Sequence, residues 1–454
     1  MLGRARQMML GAAVAIVAAI PAQAETLGDA LVAAYKNSSL LEQNRALLRA
    51  ADEDVAQAVA ALRPVVDFII RGTHVNSEVR PASNGESLTA ALSASLTLYD
   101  GGARKLGIAA SKETVLATRQ GLIGVEHNVL YRAVQAYMLL RMYEDVVALR
   151  QGNVRVLVRE LEAARDRFEL GEITRTDVAL AEARLAGARA ELAAAEGDVL
   201  VGRETYELAV GQKPGRLSNP PRLPVTAKSV EEAKAIARGQ HYAIKQLQHQ
   251  LAAAEITLQA TKARMGPSLG LSADVSHTDT GKMDRTVTLS LSQRLYQGGG
   301  LSAGYRRALA QRDSVRAALQ YKVAEVEQAV GEAWAQRSVA RASIEATDRQ
   351  IVAAQAAYDG VREETKLGAR TTLDLLNAEQ ELLDARAGRL TVVTNEYIAT
   401  YGLLAAMGYL TVEHLKLGIP TYDVTAYYNA VKNAPAASAQ GKRLDRILQT
   451  YQRN

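Results

Sequence analysis

The residues of this 454-residue chain best suited to metal or acid–base chemistry are six histidines: His74, His127, His241, His249, His277 and His414. They are scattered. A helical zinc site needs two of them four apart on one face with a glutamate beside the first, and no such pair exists here. Cysteine is absent, so thiolate metal ligation, disulfides and lipid on an N-terminal cysteine are excluded for this sequence. The stretch GGGLSAG at 298–304 has the glycines of a phosphate-binding loop but lacks the Gly-Lys-Ser/Thr ending that grips the phosphates. No G-x-S-x-G nucleophile elbow is expected either. The expectation is no catalytic residue, no cofactor and no metal, which leaves charge and surface shape as the working chemistry.

Net charge is +5 with a pI near 9.1, but basic and acidic residues alternate along the chain, as in VRVLVRELEAARDRFEL. A nucleic-acid surface needs a basic face with aromatic platforms, and aromatics make up only 5% of the residues, so no nucleic-acid partner is expected. Alanine-rich runs such as AEARLAGARAELAAAEGD suit thin, closely packed helices better than a thick core. Among charged groups, Asp374 stands three residues before Asn377 on a helical stretch, which puts both on one face.

The elements that carry these residues come in duplicate. Leu98-Tyr99 recurs as Leu295-Tyr296, 197 residues later. Leu170-Gly171 recurs as Leu367-Gly368, Asp177 as Asp374, Ala181-Glu182 as Ala378-Glu379 and Val210-Gly211 as Met407-Gly408, all at the same spacing. Separated blocks keeping one offset without a gap mark an internal duplication. The first repeat, 25–211, reads as helix signals over 27–62, strands at about 65–76 and 88–99, a helix at about 103–169, and a return helix at about 175–209. After a linker at 212–227, the second repeat, 228–411, has strands at about 268–277 and 285–296 and helices at about 300–366 and 372–407. A 67-residue helix spans roughly 100 Å at about 1.5 Å per residue.

The strands alternate strictly. Leu88, Ala90, Leu92, Ala94, Leu96 and Leu98 share one face, while Thr89, Ala91, Ser93, Ser95 and Thr97 lie on the other. Their length of about ten residues is what a tilted membrane-crossing strand needs. Four such strands cannot close a barrel alone, and an open edge is not tolerated in lipid, so a membrane sheet of this size implies association between copies. The strand-to-helix junctions Tyr99-Asp100-Gly101-Gly102 and Tyr296-Gln297-Gly298-Gly299 place an aromatic at an interface and glycines where the chain swings into a helix. A secreted coiled-coil structural or adaptor protein with a small soluble β domain also fits these patterns. Arg4 and Arg6, an apolar run, and Ala22-Gln23-Ala24 read as a signal peptide over 1–24.

Strand pair, Leu-Tyr-x-Gly-Gly, long helix, Leu-Gly tip with a following Asp, and return helix, all duplicated behind a leader, resemble the TolC family of outer-membrane efflux and type I secretion channels. That resemblance implies a mainly α protein with a membrane β portion. Three copies would build a barrel of about 12 strands, four from each, above a periplasmic helical tunnel. It implies a passive exit duct and no enzyme, with a periplasmic adaptor and an ABC or RND inner-membrane pump as partners. The missing lipidation cysteine fits the branch that serves type I secretion as well as efflux.

In such a channel Leu170, Gly171, Leu367 and Gly368 would be the tips where adaptor hairpins dock. Asp374 and Asn377 would line the periplasmic entrance, where relatives often carry two acidic rings. With asparagine at the second position, a single ring of carboxylates remains, which would favour cations. Arg370 and Asp177 match positions that join neighbouring protomers in the closed state. The segment 412–454 would comprise an equatorial stretch, expected outside the tunnel, and a flexible tail.

Overall fold

The structure, a computed structural model, describes residues 24–76, 85–279, 281–433 and 446. The expected leader lies outside the described residues except for Ala24. So do most of the first strand-to-strand loop and nearly all of the C-terminal tail beyond 433.

The order of elements follows the duplicated pattern. Repeat one contains α1 (Leu27–Asn37), α2 (Ser39–Ala60), β1 (Val65–Val75), β2 (Gly85–Tyr99), α3 (Ala103–Glu169) and α4 (Arg175–Val210). Repeat two contains α5 (Val230–Gln240), α6 (Tyr242–Ala263), β3 (Ser268–Thr278), β4 (Met283–Ser292), α7 (Gly300–Lys366) and α8 (Thr372–Ala406); α9 (Ala426–Val431) follows. Both long helices run 67 residues without a proline to interrupt them. The helical stretch expected over 27–62 is two helices, because the Ser38 side chain accepts the Leu41 N–H and starts α2 afresh. His241 does the same in repeat two. It ends α5, and its Nδ1 accepts the Ala243 N–H at the start of α6.

The four strands form one antiparallel sheet in the order β1-β2-β3-β4, with β2–β3 pairing the two repeats. The register aligns the faces across all four strands. Phe68 stands opposite Leu92, Leu92 opposite Val275, and Val66, Ala94, Ala273 and Val287 form the next row. Leu96, Leu271 and Leu289 continue that apolar face. The other face carries Asp67, Ser93, Asp274 and Thr286, then Ser95, Ser272 and Thr288. Because side chains alternate with period two, this register gathers most of the apolar side chains on one surface and most of the small polar ones on the other. The exceptions on the apolar side are Arg285, opposite Val275, and His277, opposite Ala90 and Met283, close to the β3–β4 turn. On the apolar face Val66, Phe68, Val287, Leu289 and Leu291 are all more than 60% exposed. No element among the described residues covers them.

Two compact units divide the chain. One comprises residues 1–37, 132–223 and 342–398; the other comprises 38–131, 224–341 and 399–454. In the first, Leu157, Leu161 and Ala164 of α3 pack with Ala181, Leu185 and Ala188 of α4 and Leu376 of α8. The inter-repeat linker is a fixture of this unit. Glu25 bridges to Leu217, and its carboxylate accepts hydrogen bonds from the Tyr206 hydroxyl (2.6 Å), the Gln212 amide and the Gly215 N–H. In the second unit α5, α6, α7 and the end of α8 meet around Ala233, Ala237, Ile244, Val330, Leu403 and Met407. The segment after 411 packs on α2 and α3. The Val412 N–H donates to Glu126, the Tyr427 hydroxyl to Glu53, and Arg119 lies over the Tyr428 ring.

Candidate functional site: tips, entrance helix and strand junctions

The two hairpin tips are built alike. At the end of α3 the Gly171 N–H donates to the Phe168 carbonyl and the Glu172 N–H to that of Arg167. At the end of α7 Gly368 and Ala369 make the same bonds to Thr365 and Glu364. This six-to-one closure needs a left-handed residue, and Gly171 and Gly368 have φ of +76° and +75°. A Cβ would meet nothing within 4 Å at either site, so the glycines serve the backbone rather than a tight fit. Leu170 is 76% exposed and Leu367 is 85% exposed, so each tip offers an uncovered leucine.

Asp177 and Asp374 have a structural duty that the gate pattern did not reveal. Thr174 caps α4, and Asp177 Oδ2 accepts both the Thr174 N–H and hydroxyl, at 2.9 and 2.7 Å. Thr371 and Asp374 repeat this at the start of α8, at 3.1 and 2.9 Å. The Thr-x-x-Asp spacing was visible in the sequence as a capping box. The hydrogen bonds from the Thr371 N–H and hydroxyl hold the Asp374 carboxyl below its ordinary range, with Arg370 adding to them. Within one chain Arg370 and Asp177 are not brought together. Arg370 Nε donates to Glu364 at 2.9 Å instead. Asn377 is met from the other repeat, its Oδ1 accepting a hydrogen bond from Arg184 of α4 at 2.7 Å.

The strand-to-helix junctions differ more than their sequences suggest. Tyr99 is the last residue of β2, half exposed, as expected. Asp100 then accepts from the Gly102 and Arg104 N–H groups, starting α3. The Arg104 guanidinium pairs with Asp100 at 2.7 Å and donates to the carbonyls of Ala61 and Thr97, tying α2 and β2 to the new helix. At Gly101 (φ +66°) a Cβ would stand 2.9 Å from the Ala263 carbonyl oxygen, so this turn requires glycine for space as well as conformation. The strand expected over 285–296 ends at Ser292, and Tyr296 lies outside it, 83% exposed. Gly298 and Gly299 still turn the chain with φ of +54° and +82°. The difference is chemical. The positions matching Asp100 and Arg104 are Gln297 and Leu301, so the second junction has no such brace.

The histidines have ordinary occupations. His127 and His241 flank the Tyr242 ring, edge-on at 4.9 Å and stacked at 4.5 Å, and His249 Nδ1 lies 2.8 Å from Glu113. His241 and His249, expected at the surface or in packing, are thus a buried cap and a half-buried partner. One stretch, Gly266-Pro267-Ser268-Leu269-Gly270, does have G-x-S-x-G spacing, but it enters β3 from α6. That is helix to strand, the reverse of a nucleophile elbow, and Ser268 faces Ser292 across the ladder at 3.0 Å.

A sheet with one uncovered apolar face, continued twice into long helical hairpins with leucine tips, defines a membrane channel of the export type. The family of outer membrane efflux proteins matches residues 30–212 and 235–409. The outer membrane efflux protein BepC of Brucella suis is 35% identical over 422 residues, covering 91% of each chain. The outer membrane protein TolC of Escherichia coli K12 is 25% identical over 433 residues, covering 87% of this chain and 84% of its own. The fold superposes on the crystal structure of the outer membrane protein VceC from Vibrio cholerae with a TM-score of 0.73 at 18% identity, covering 84% of this chain and 96% of that one. The chain belongs to the outer membrane efflux protein family. It is an exit duct of the Gram-negative outer membrane with a large periplasmic portion, and not an enzyme.

Proposed function

We propose that three copies close one barrel and one helical tunnel, and that this duct takes cargo from an inner-membrane pump through a periplasmic adaptor docked on the tips. The observation that carries this reading is the sheet: four strands, an uncovered apolar face and two unpaired edges, β1 and β4. In lipid such edges must be paired, and pairing β1 of one copy with β4 of the next satisfies both. Detergent extraction from outer-membrane fractions should give an SDS-resistant trimer; a soluble monomer would overturn the assembly.

The same reading assigns the entrance to α8. Asp374 forms a ring of carboxylates, Asn377 stands beside it, and Arg370 and Asp177 latch neighbouring copies. Among the described residues Arg370 bonds Glu364 and also feels Asp374, while Asp177 of the same chain is not its partner, which fits a pairing across an interface between copies. Removing both charges, by Arg370→Ser and Asp177→Asn, should raise single-channel conductance in planar bilayers. Unchanged conductance would dismiss the latch.

A further inference from the structure

The duplication lets matched residues 197 positions apart be compared directly. Glu182 and Glu379 are such a pair, and they are treated differently. In repeat one Arg165 Nη2 bonds Glu182 Oε1 at 2.6 Å, both side chains about half exposed. The counterparts in repeat two are Arg362 and Glu379, and no ion pair joins them. Arg362 is exposed. Glu379 is 7% exposed, with its Oε2 buried and unpartnered. The hairpins are equal in length, α3 and α7 each ending six residues before the return helix begins. Tyr358 lies within electrostatic reach of both Glu379 and Arg362, so the two groups share one stretch of this hairpin.

Glu379 lines a cleft of about 310 Å³ among α3, α7 and α8, with Asn153, Tyr358, Leu383 and Arg386. The charged and titratable groups that act on it, on Tyr358 beside it, or line the cleft are Arg159 and Glu160 on α3, Tyr358, Asp359 and Arg362 on α7 and Arg386 on α8. Arg386 is engaged by Gln355 at 2.6 Å. A carboxylate in this cleft would be desolvated and would face Glu160; a carboxylic acid fits it.

We propose that Glu379 is a positioning residue for α8. As the neutral acid it fills the cleft and keeps α8 seated on α3; as the carboxylate it leaves for Arg362, remaking in repeat two the ion pair that repeat one already holds. Burial, with Glu160 adding to it and Arg159 opposing, pushes the Glu379 carboxyl up to about 7. The sign follows: the seated form binds the proton, so it is favoured below about pH 7 and given up above it. Departure empties the cleft beside Leu382 and Leu383 and loosens the helix that carries Asp374. The consequence for conduction rests on the reading of α8 as the entrance wall.

The test reads the hairpin and the pore separately. Because the chain has no cysteine, Arg155→Cys on α3 and Glu381→Cys on α8 take spin labels without background. In the detergent-solubilised channel the interlabel distance should lengthen with a midpoint near pH 7, and single-channel conductance should rise over the same range. Glu379→Gln should hold the short distance and low conductance from pH 6 to 8. Arg362→Gln, which leaves the buried position untouched, should move the midpoint upward. A distance that changes with pH in Glu379→Gln, or one that stays fixed in the parent channel, overturns the proposal. An unmoved midpoint in Arg362→Gln overturns Arg362 as the destination. A distance change without a conductance change upholds the switch and overturns the placement of the entrance on α8.

Discussion

Replacing Leu170 and Leu367 by serine isolates the work of the tips from the stability of the hairpins. Both leucines are already largely in water, 76% and 85% exposed, and neither belongs to the α3–α4–α8 core. Surface changes of this kind stay within about 0.5 kcal/mol, so the thermal melting of the channel should not move. An adaptor that covers the tips does gain from them. Burying a whole leucine contributes about 1.5–3 kcal/mol, so covering half of the available surface gives about 1 kcal/mol per tip. The double variant should lose about 2 kcal/mol per protomer, roughly a 30-fold weakening. The measurement is the affinity of purified trimer for the periplasmic adaptor, by biolayer interferometry, beside melting curves of both proteins. Parent-like affinity in the double variant would refute the assignment of the tips. Weakened affinity accompanied by a lowered melting temperature would trace the loss to the hairpin and refute the reasoning from exposure.

Two further outcomes concern the scaffold. His127 is 3% exposed, and burial, with His241 beside it, brings its imidazole down to about 4. The unfolded chain takes up that proton near pH 6.5 and the native one does not, so the contribution is fully present above 6.5 and is lost as pH falls toward 4. It amounts to about 3 kcal/mol. Melting temperature against pH should fall over this window and flatten in His127→Phe; an equal slope in both would remove His127 as the cause. Arg104→Ala deletes the bonds to Asp100, Ala61 and Thr97, a loss of about 2–3 kcal/mol. It should let the end of β2 fray, seen as faster amide exchange at Thr97 and Leu98. Unchanged exchange there would show that the brace does not set the strand end.

The architecture was legible where it depended on period and punctuation. The span 103–169 coincides with α3 because nothing in it stops a helix, and Gly171 and Gly368 mark turns that only their backbone freedom permits. Legibility failed where one residue's partner lies far along the chain. Leu295 and Tyr296 extend β4 on paper, but the strand stops at Ser292, because its partner β3 begins opposite at Ser268, directly after Pro267, and offers no ladder beyond it. Asp177 and Asp374 drew notice through the family resemblance as gate charges, while their capping of α4 and α8 lay plainly in Thr-x-x-Asp. The contrast between Glu182 and Glu379 was not readable at all. Both follow an alanine at matched positions, and only the packing of α8 on α3 separates an exposed carboxylate from a buried acid.

The two unpaired edges of the sheet have a bearing on how the cell acquires this pore. A solitary copy that entered the bilayer would expose two ladders of N–H and C=O groups to hydrocarbon, each unsatisfied group costing several kcal/mol. If three copies close the barrel, as proposed, insertion and ring closure are one event, and a partly built wall has no resting place in the membrane. A large duct can thus be installed in the outer membrane without passing through a leaky arc, because the lipid itself rejects every unfinished version of it.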